Sequence, residues 1–129
     1  MNTPKVPISW GELFDKITIL QIKLDTLTSK KALENVEREH KQLQAIFMRF
    51  FSENAQANQL LVDLKPINQH LWDIEDKIRE KERRKSVDDA FVQLARSVYI
   101  TNDARSRLKR EINDVFGSEL IEEKSYAEY

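Results

Sequence analysis

The sequence predicts an all-α protein, an antiparallel bundle of about four long helices. Four stretches place large apolar side chains at alternating gaps of four and three residues, the spacing that lines one face of a helix. Helices with such faces bury them by lying alongside one another, as in bundles and coiled coils. The composition agrees, because 33% of the residues are charged and only 2 are glycine and 3 proline, too few for a turn-rich sheet protein. The apolar stripes are Leu13, Ile17, Leu20, Leu24 and Leu27; Leu33, Val36, His40, Leu43, Phe47 and Phe50; Leu60, Leu64, Ile67, Leu71, Ile74 and Ile78; and Phe91, Leu94, Val98, Thr101, Arg105, Leu108, Ile112 and Val115.

The first two helices have recognisable starts. Residues 1–8 contain two prolines and no helical period, so we expect an extended lead-in. Ser9-Trp10-Gly11-Glu12 has the form of a capping box, which predicts a first helix from Trp10 to about Leu27. A short polar turn then leads into a second helix, predicted from about Lys30 to Phe51.

The third helix is predicted to be broken. Pro66 lies inside the third stripe, where it removes a backbone hydrogen bond, so we place a break near Leu64 to Pro66 and the main helix from Pro66 to about Lys85. The fourth helix is predicted from Asp88 to Val115, and residues 117–129 form a polar tail that we interpret as a strap. We expect one domain over residues 1–129.

The fourth helix is too long to be covered by the first. At 1.5 Å per residue it spans about 42 Å, against roughly 27 Å for the first helix. The additional length of the fourth helix can be accounted for in three ways: it is covered by the tail, the helix is kinked at Thr101-Asn102-Asp103, or it is covered by a second copy of the chain.

Charge and composition exclude several classes of protein. With 21 basic and 22 acidic residues the net charge is −1, which argues against nucleic-acid binding as the main function. The chain has no cysteine, which rules out disulfides and thiolate chemistry and fits a reducing compartment. No stretch approaches the about 18 uninterrupted apolar residues of a membrane span, and the N-terminus lacks a secretory pattern, so we expect a cytoplasmic protein.

Polar residues inside the stripes are the candidate site. His40 falls near the middle of helix two, and Thr101 to Arg105 near the middle of helix four, so these residues are predicted to share one layer of the bundle. One interpretation is a hydrogen-bonded layer that fixes the register of the helices, with Glu75 or Asp76 as partners. The other is a pocket for an anionic ligand, formed by His40, Tyr99, Asn102, Asp103 and Arg105.

Carboxylates also cluster between Asp73 and Glu82 and between Glu34 and Glu39. In principle, acidic pairs on neighbouring helices hold magnesium. These acids alternate with lysines and arginines, however, and such alternation favours ion pairing on a solvated surface. We therefore predict no metal site and no cofactor.

Four phrases of the sequence are distinctive. They are Ser9-Trp10-Gly11-Glu12-Leu13-Phe14-Asp15-Lys16-Ile17-Thr18-Ile19-Leu20, Leu71-Trp72-Asp73-Ile74-Glu75-Asp76, Ser97-Val98-Tyr99 through Thr101-Asn102-Asp103 to Arg105, and Glu122-Glu123-Lys124-Ser125-Tyr126. With these phrases the chain resembles a family of small bacterial proteins known only as a domain of unknown function. The resemblance covers nearly the whole chain and implies a helical bacterial domain. It also implies a neighbourhood of glycosyltransferases and surface-polysaccharide genes, and it supplies no activity or catalytic residue.

Together these observations favour a non-catalytic interaction module that acts as a homodimer or with a larger partner enzyme, and the resemblance implies that it is accessory to cell-surface polysaccharide biosynthesis. The alternative is a small enzyme or metabolite-binding protein that holds a phosphate, carboxylate or sugar-nucleotide ligand in the polar layer of the bundle.

Overall fold

The chain folds into four α-helices, as a computed structural model that describes residues 1–129 shows. The helices are α1 (Trp10–Thr26), α2 (Lys30–Phe51), α3 (Ala55–Arg83) and α4 (Asp89–Val115). There are no strands. The predicted all-α antiparallel bundle is confirmed, and residues 1–8 and 117–129 carry no helix.

Side-chain caps set the starts of the helices. The Ser9 hydroxyl accepts from the Glu12 amide at 3.1 Å, and the Asp88 carboxylate accepts from the Phe91 amide at 2.9 Å. The Glu12 carboxylate does not complete a capping box, because it reaches instead to a lysine on α4. Local chemistry thus fixes where α1 and α4 begin.

The predicted break at Pro66 is wrong. The third helix runs without interruption through the proline from Ala55 to Arg83. Proline has no amide hydrogen, so the carbonyl of Val62, four residues before Pro66, has no donor within the helix. Both residues face solvent, where water can donate to this carbonyl. Buried Leu64 and Asn68 on either side of the proline hold both halves of the helix in the bundle.

The four helices form two antiparallel hairpins, α1–α2 and α3–α4, that cross each other. In the first hairpin Trp10 packs on Phe51 and Phe14 on Phe47. Asp15 and Asp25 lie about 15 Å apart along α1, and they contact Asn68 and Lys65, which are only three residues apart on α3. Helices lying side by side would instead bring residues about 15 Å apart on α3 against these two positions. The hairpins therefore cross steeply, and α1 is the element that packs against all three other helices.

The apolar core lies at this crossing. Its fully buried members include Phe14, Ile17, Phe47, Leu64 and Ile112, which come from all four helices. Away from the crossing the outer halves of both hairpins are only partly covered. None of the four helices combines the length and the apolar composition that a membrane span requires.

Candidate functional site

A buried carboxylate, Asp15, lies at the centre of the most elaborate polar cluster. Its side chain is 1% exposed. Arg105 on α4 grips it with two groups: Nε donates to one oxygen at 2.9 Å and Nη2 to the other. Burial alone would raise the pKa of Asp15, but hydrogen bonds from Arg105 and Asn68 and the charges of Arg105 and Lys109 outweigh burial and lower it. Asp15 is therefore held as the anion.

Asn68 ties α3 to the same carboxylate. Its side-chain amide donates to Asp15 at 2.9 Å and to the Thr18 hydroxyl at 2.7 Å, and that hydroxyl donates to the Asp15 backbone carbonyl at 2.8 Å. All three side chains are at most 4% exposed. The layer thus links α1, α3 and α4, which is where the two hairpins cross.

Lys109 is a second buried cation, one turn along α4 from Arg105. Its ammonium lies 2.9 Å from Glu12, 3.0 Å from Glu122 in the tail and 3.8 Å from Asp15. Burial would lower the pKa of Lys109, but the hydrogen bonds to Glu12 and Glu122 and the charge of Asp15 raise it. Three carboxylates therefore converge on a lysine ammonium.

The start of α1 is fastened to the end of α4 by its backbone. The Gly11 amide donates to the Asn113 side chain at 2.7 Å, and the Trp10 amide donates to the Ser118 hydroxyl at 3.2 Å. These contacts satisfy two of the free amides at a helix N-terminus. A Cβ on Gly11 would lie 2.5 Å from the Lys109 carbonyl, so only glycine allows the two helices to approach this closely.

The predicted site residues on α4 divide between two of its faces. Arg105 and Asn102 are in contact at 3.3 Å and face α1. Tyr99 and Asp103 face the tail instead: the Tyr129 hydroxyl donates to Asp103 at 2.8 Å, and the Tyr99 and Tyr129 rings meet edge to face at 5.0 Å.

His40 does not join either group. The aromatic pairs Trp10–Phe51 and Phe14–Phe47 fix the register of α1 and α2, which places His40 level with Gln21. That level is about 9 Å along α1 from Asp15. The buried Nε2 of His40 has no hydrogen-bond partner in the protein.

The acidic clusters pair with neighbouring cations. Glu80 accepts from Arg83 at 2.7 Å and from Arg84 at 2.9 Å, and the hydrogen bond from Arg83 lowers the pKa of Glu80 to about 2. Glu75 pairs with Arg79 at 3.4 Å. No three His, Asp or Glu side chains are placed to hold a metal ion.

Three of the four phrases that carried the sequence resemblance converge in this cluster. Glu12 and Asp15 come from the first phrase, Asn102 and Arg105 from the third, and Glu122 from the last. A family model matches residues 4–129, which include all of them. The chain belongs to DUF6165, a family of unknown function. No curated protein and no solved structure matches it.

The DUF6165 chain thus has a polar centre that sequence reasoning found only in part. Arg105 and Asn102 were predicted, whereas Asp15, Asn68 and Lys109 were not. The sequence did contain a pattern that could have predicted them. Glu12 and Asp15 are three residues apart, which places two acids on one face of the first helix. Arg105 and Lys109 are four residues apart, which places two matching bases on one face of the fourth. The chemistry of the arrangement is that of a closed ion network, in which every charged member has a partner of opposite sign.

Proposed function

We propose that this DUF6165 protein is a non-catalytic interaction module that associates with a second copy of itself through an apolar patch at the end of α2. The patch consists of Trp10, Ile46 and Phe50. The proposal depends chiefly on one observation, the area of the chain that is left uncovered.

The exposed area exceeds what a compact chain of this size leaves uncovered. A compact monomer of 15.2 kDa exposes about 7,100 Å², whereas this chain exposes 9184 Å². The excess is about 2,000 Å², of which the extended ends of the chain supply part. A standard interface removes about 800 Å² from each partner. The crossing hairpins therefore leave enough uncovered surface for an interface.

The patch has the composition of an interface centre. Phe50 is 54% exposed and Ile46 43% exposed, and they lie one turn apart on α2. Trp10 packs edge to face on Phe50, with ring centroids 5.2 Å apart. The Arg49 guanidinium lies 5.2 Å from the Phe50 ring and gives the patch a charged rim. Aromatic side chains beside an arginine are the residues that most often dominate binding energy at interfaces.

A second copy of the chain is the partner for this patch that requires the fewest assumptions. An apolar patch pairs with its own image across a two-fold axis, the commonest arrangement of soluble oligomers. The net charge of −1 gives two copies almost no long-range repulsion to overcome. The ion network supports the non-catalytic part of the proposal, because Asp15 neutralises Arg105 and Glu12 neutralises Lys109 within the protein.

Light scattering at increasing protein concentration tests this proposal. We expect the wild type to approach twice the monomer mass and Phe50→Glu to remain at the monomer mass with an unchanged helical circular dichroism spectrum. Val62→Glu is the matched control, because Val62 is 63% exposed on α3 outside the patch, and it should behave as the wild type. A wild type that stays monomeric at millimolar concentration refutes the second copy as partner.

The setting in cell-surface polysaccharide biosynthesis is a further part of the proposal and is supported by the sequence resemblance alone. Deleting the gene in its host and comparing the amount of surface polysaccharide tests it. An unchanged amount would remove this part and leave the self-association proposal intact.

A further inference from the structure

The C-terminal tail arches over one face of α4 and is fixed at two places. At the first, Glu122 accepts from Lys109 at 3.0 Å and Glu123 from Arg110 at 3.2 Å. At the second, the terminal Tyr129 donates to Asp103 at 2.8 Å. This segment is the strap, residues 117–129.

A cleft lies between the strap and α4. It consists of two adjoining cavities, of about 230 Å³ and about 520 Å³, that share Ser106, Arg107 and Lys124 in their walls. The smaller cavity is lined by polar and charged side chains only. The larger includes Tyr126 and Tyr129 and, beside them, the carboxylates of Asp103 and Glu128. The cleft therefore has a polar end and an aromatic end.

The polar end has hydrogen-bond donors to spare. Glu122 and Glu123 are occupied by Lys109 and Arg110, whereas Arg107 makes no ion pair. The Ser106 hydroxyl and the side-chain nitrogen of Asn113 also have no acceptor in the protein, since the Asn113 oxygen is the atom that binds Gly11. A guanidinium with neutral donors beside it suits the oxygens of a phosphoryl group.

The aromatic end presents ring surface to a ligand. Tyr126 is 70% exposed and Tyr129 79% exposed, and Tyr129 is steadied by its contact with Tyr99. Exposed rings of this kind stack on planar heterocycles, because every nucleobase has a flat π-face.

We propose that the strap cleft binds a mononucleotide, with its phosphoryl groups at Arg107 and its base on Tyr126 and Tyr129. The site lies on the face of α4 that the strap covers and outside the Trp10–Phe50 patch. Its polar end shares Lys109 and Asn113 with the contacts that join α1 to α4. The proposal goes beyond self-association and does not depend on it.

Titration of the full chain with ADP in magnesium-free buffer, followed by amide chemical shifts, tests the proposal. ADP is expected to shift the amides of residues 106–110 and 124–129. Arg107→Ala should weaken ADP binding at least tenfold. The matched control is Arg96→Ala, because Arg96 is also an exposed arginine on α4 without an ion pair, and it should bind as the wild type. Tyr126→Ala should weaken ADP binding but leave pyrophosphate binding unchanged.

Several results would overturn the assignment. No shift with millimolar ADP removes the site, and equal losses in Arg96→Ala and Arg107→Ala show diffuse charge attraction instead of a site. Pyrophosphate binding as tightly as ADP removes the stacked base. A single-stranded oligonucleotide that binds far more tightly than ADP would replace the mononucleotide with nucleic acid. Light scattering of Phe50→Glu reports on self-association separately, so the two proposals fail independently.

Discussion

Replacing Asp15 with asparagine is the sharpest test of the ion network. The substitution keeps the size of the side chain and removes the charge that pairs with Arg105 and that lies 3.8 Å from Lys109. Lys109 keeps Glu12 and Glu122, and the Arg105 side chain is 27% exposed on its outer side, but the Asp15 carboxylate is 1% exposed, so water cannot take the place of its oxygens between the helices. Breaking a buried pair by removing one member costs about 3–5 kcal/mol. For a chain of this length that corresponds to a fall in melting temperature of roughly 10–20 °C.

The assay is urea unfolding followed by helical circular dichroism, with Glu75→Gln as the matched control. Glu75 and Arg79 form a pair 3.4 Å apart with side chains 52% and 80% exposed, so the control should lose at most about 1 kcal/mol. Adding Arg105→Met to Asp15→Asn should cost far less than the sum of the two single changes, because each alone leaves an unpaired group. If Asp15→Asn loses no more stability than Glu75→Gln, the network does not contribute as argued.

Three further predictions follow from the same contacts. Gly11→Ala should destabilise the protein by about 1–3 kcal/mol in urea unfolding, because the new Cβ meets the Lys109 carbonyl at 2.5 Å; an unchanged midpoint would show that α1 shifts freely. Pro66→Ala should stabilise the protein by about 2 kcal/mol by restoring a hydrogen bond within α3, and a lower melting temperature would mean that the proline shapes the helix. The folded-state pKa of Asp15 is lowered below 3.8, so the stability that its charge contributes is present above about pH 4 and is lost as the pH falls through the folded pKa. The free energy of unfolding should therefore drop more steeply below about pH 5 in the wild type than in Asp15→Asn. Parallel curves for the two proteins would contradict this.

The ends of the helices were predictable because their causes are local. Ser9 and Asp88 cap helices through atoms three residues away, and Lys30–Phe51 was predicted with the bounds observed. The break at Pro66 was predicted from an equally local rule, and it failed because buried side chains before and after the proline hold α3 straight enough to continue. Local rules were thus sufficient where no tertiary contact opposed them.

The candidate site was harder to predict because its geometry is set by the crossing of the hairpins. With helices assumed to lie side by side, partners for Arg105 were sought on α3, at Glu75 or Asp76. The actual partner is Asp15 on α1, 90 positions away in sequence. Apolar stripes report which face of a helix is buried and carry no information on the angle at which two hairpins meet.

The charges around Lys109 bear on how firmly the strap is held against α4. At the contact between α1 and α4, Glu12 and Asp15 face Arg105 and Lys109, while the strap adds Glu122 together with its own partner Lys124. When the strap moves away, Glu122 and Lys124 leave together, and two acids still face two bases at this contact. Losing Glu122 therefore costs far less than losing Asp15, because Glu122 is 45% exposed and water can solvate its carboxylate. A phosphoryl group that enters beside Arg107 can consequently compete with the strap for Lys109 without disturbing the contact between α1 and α4.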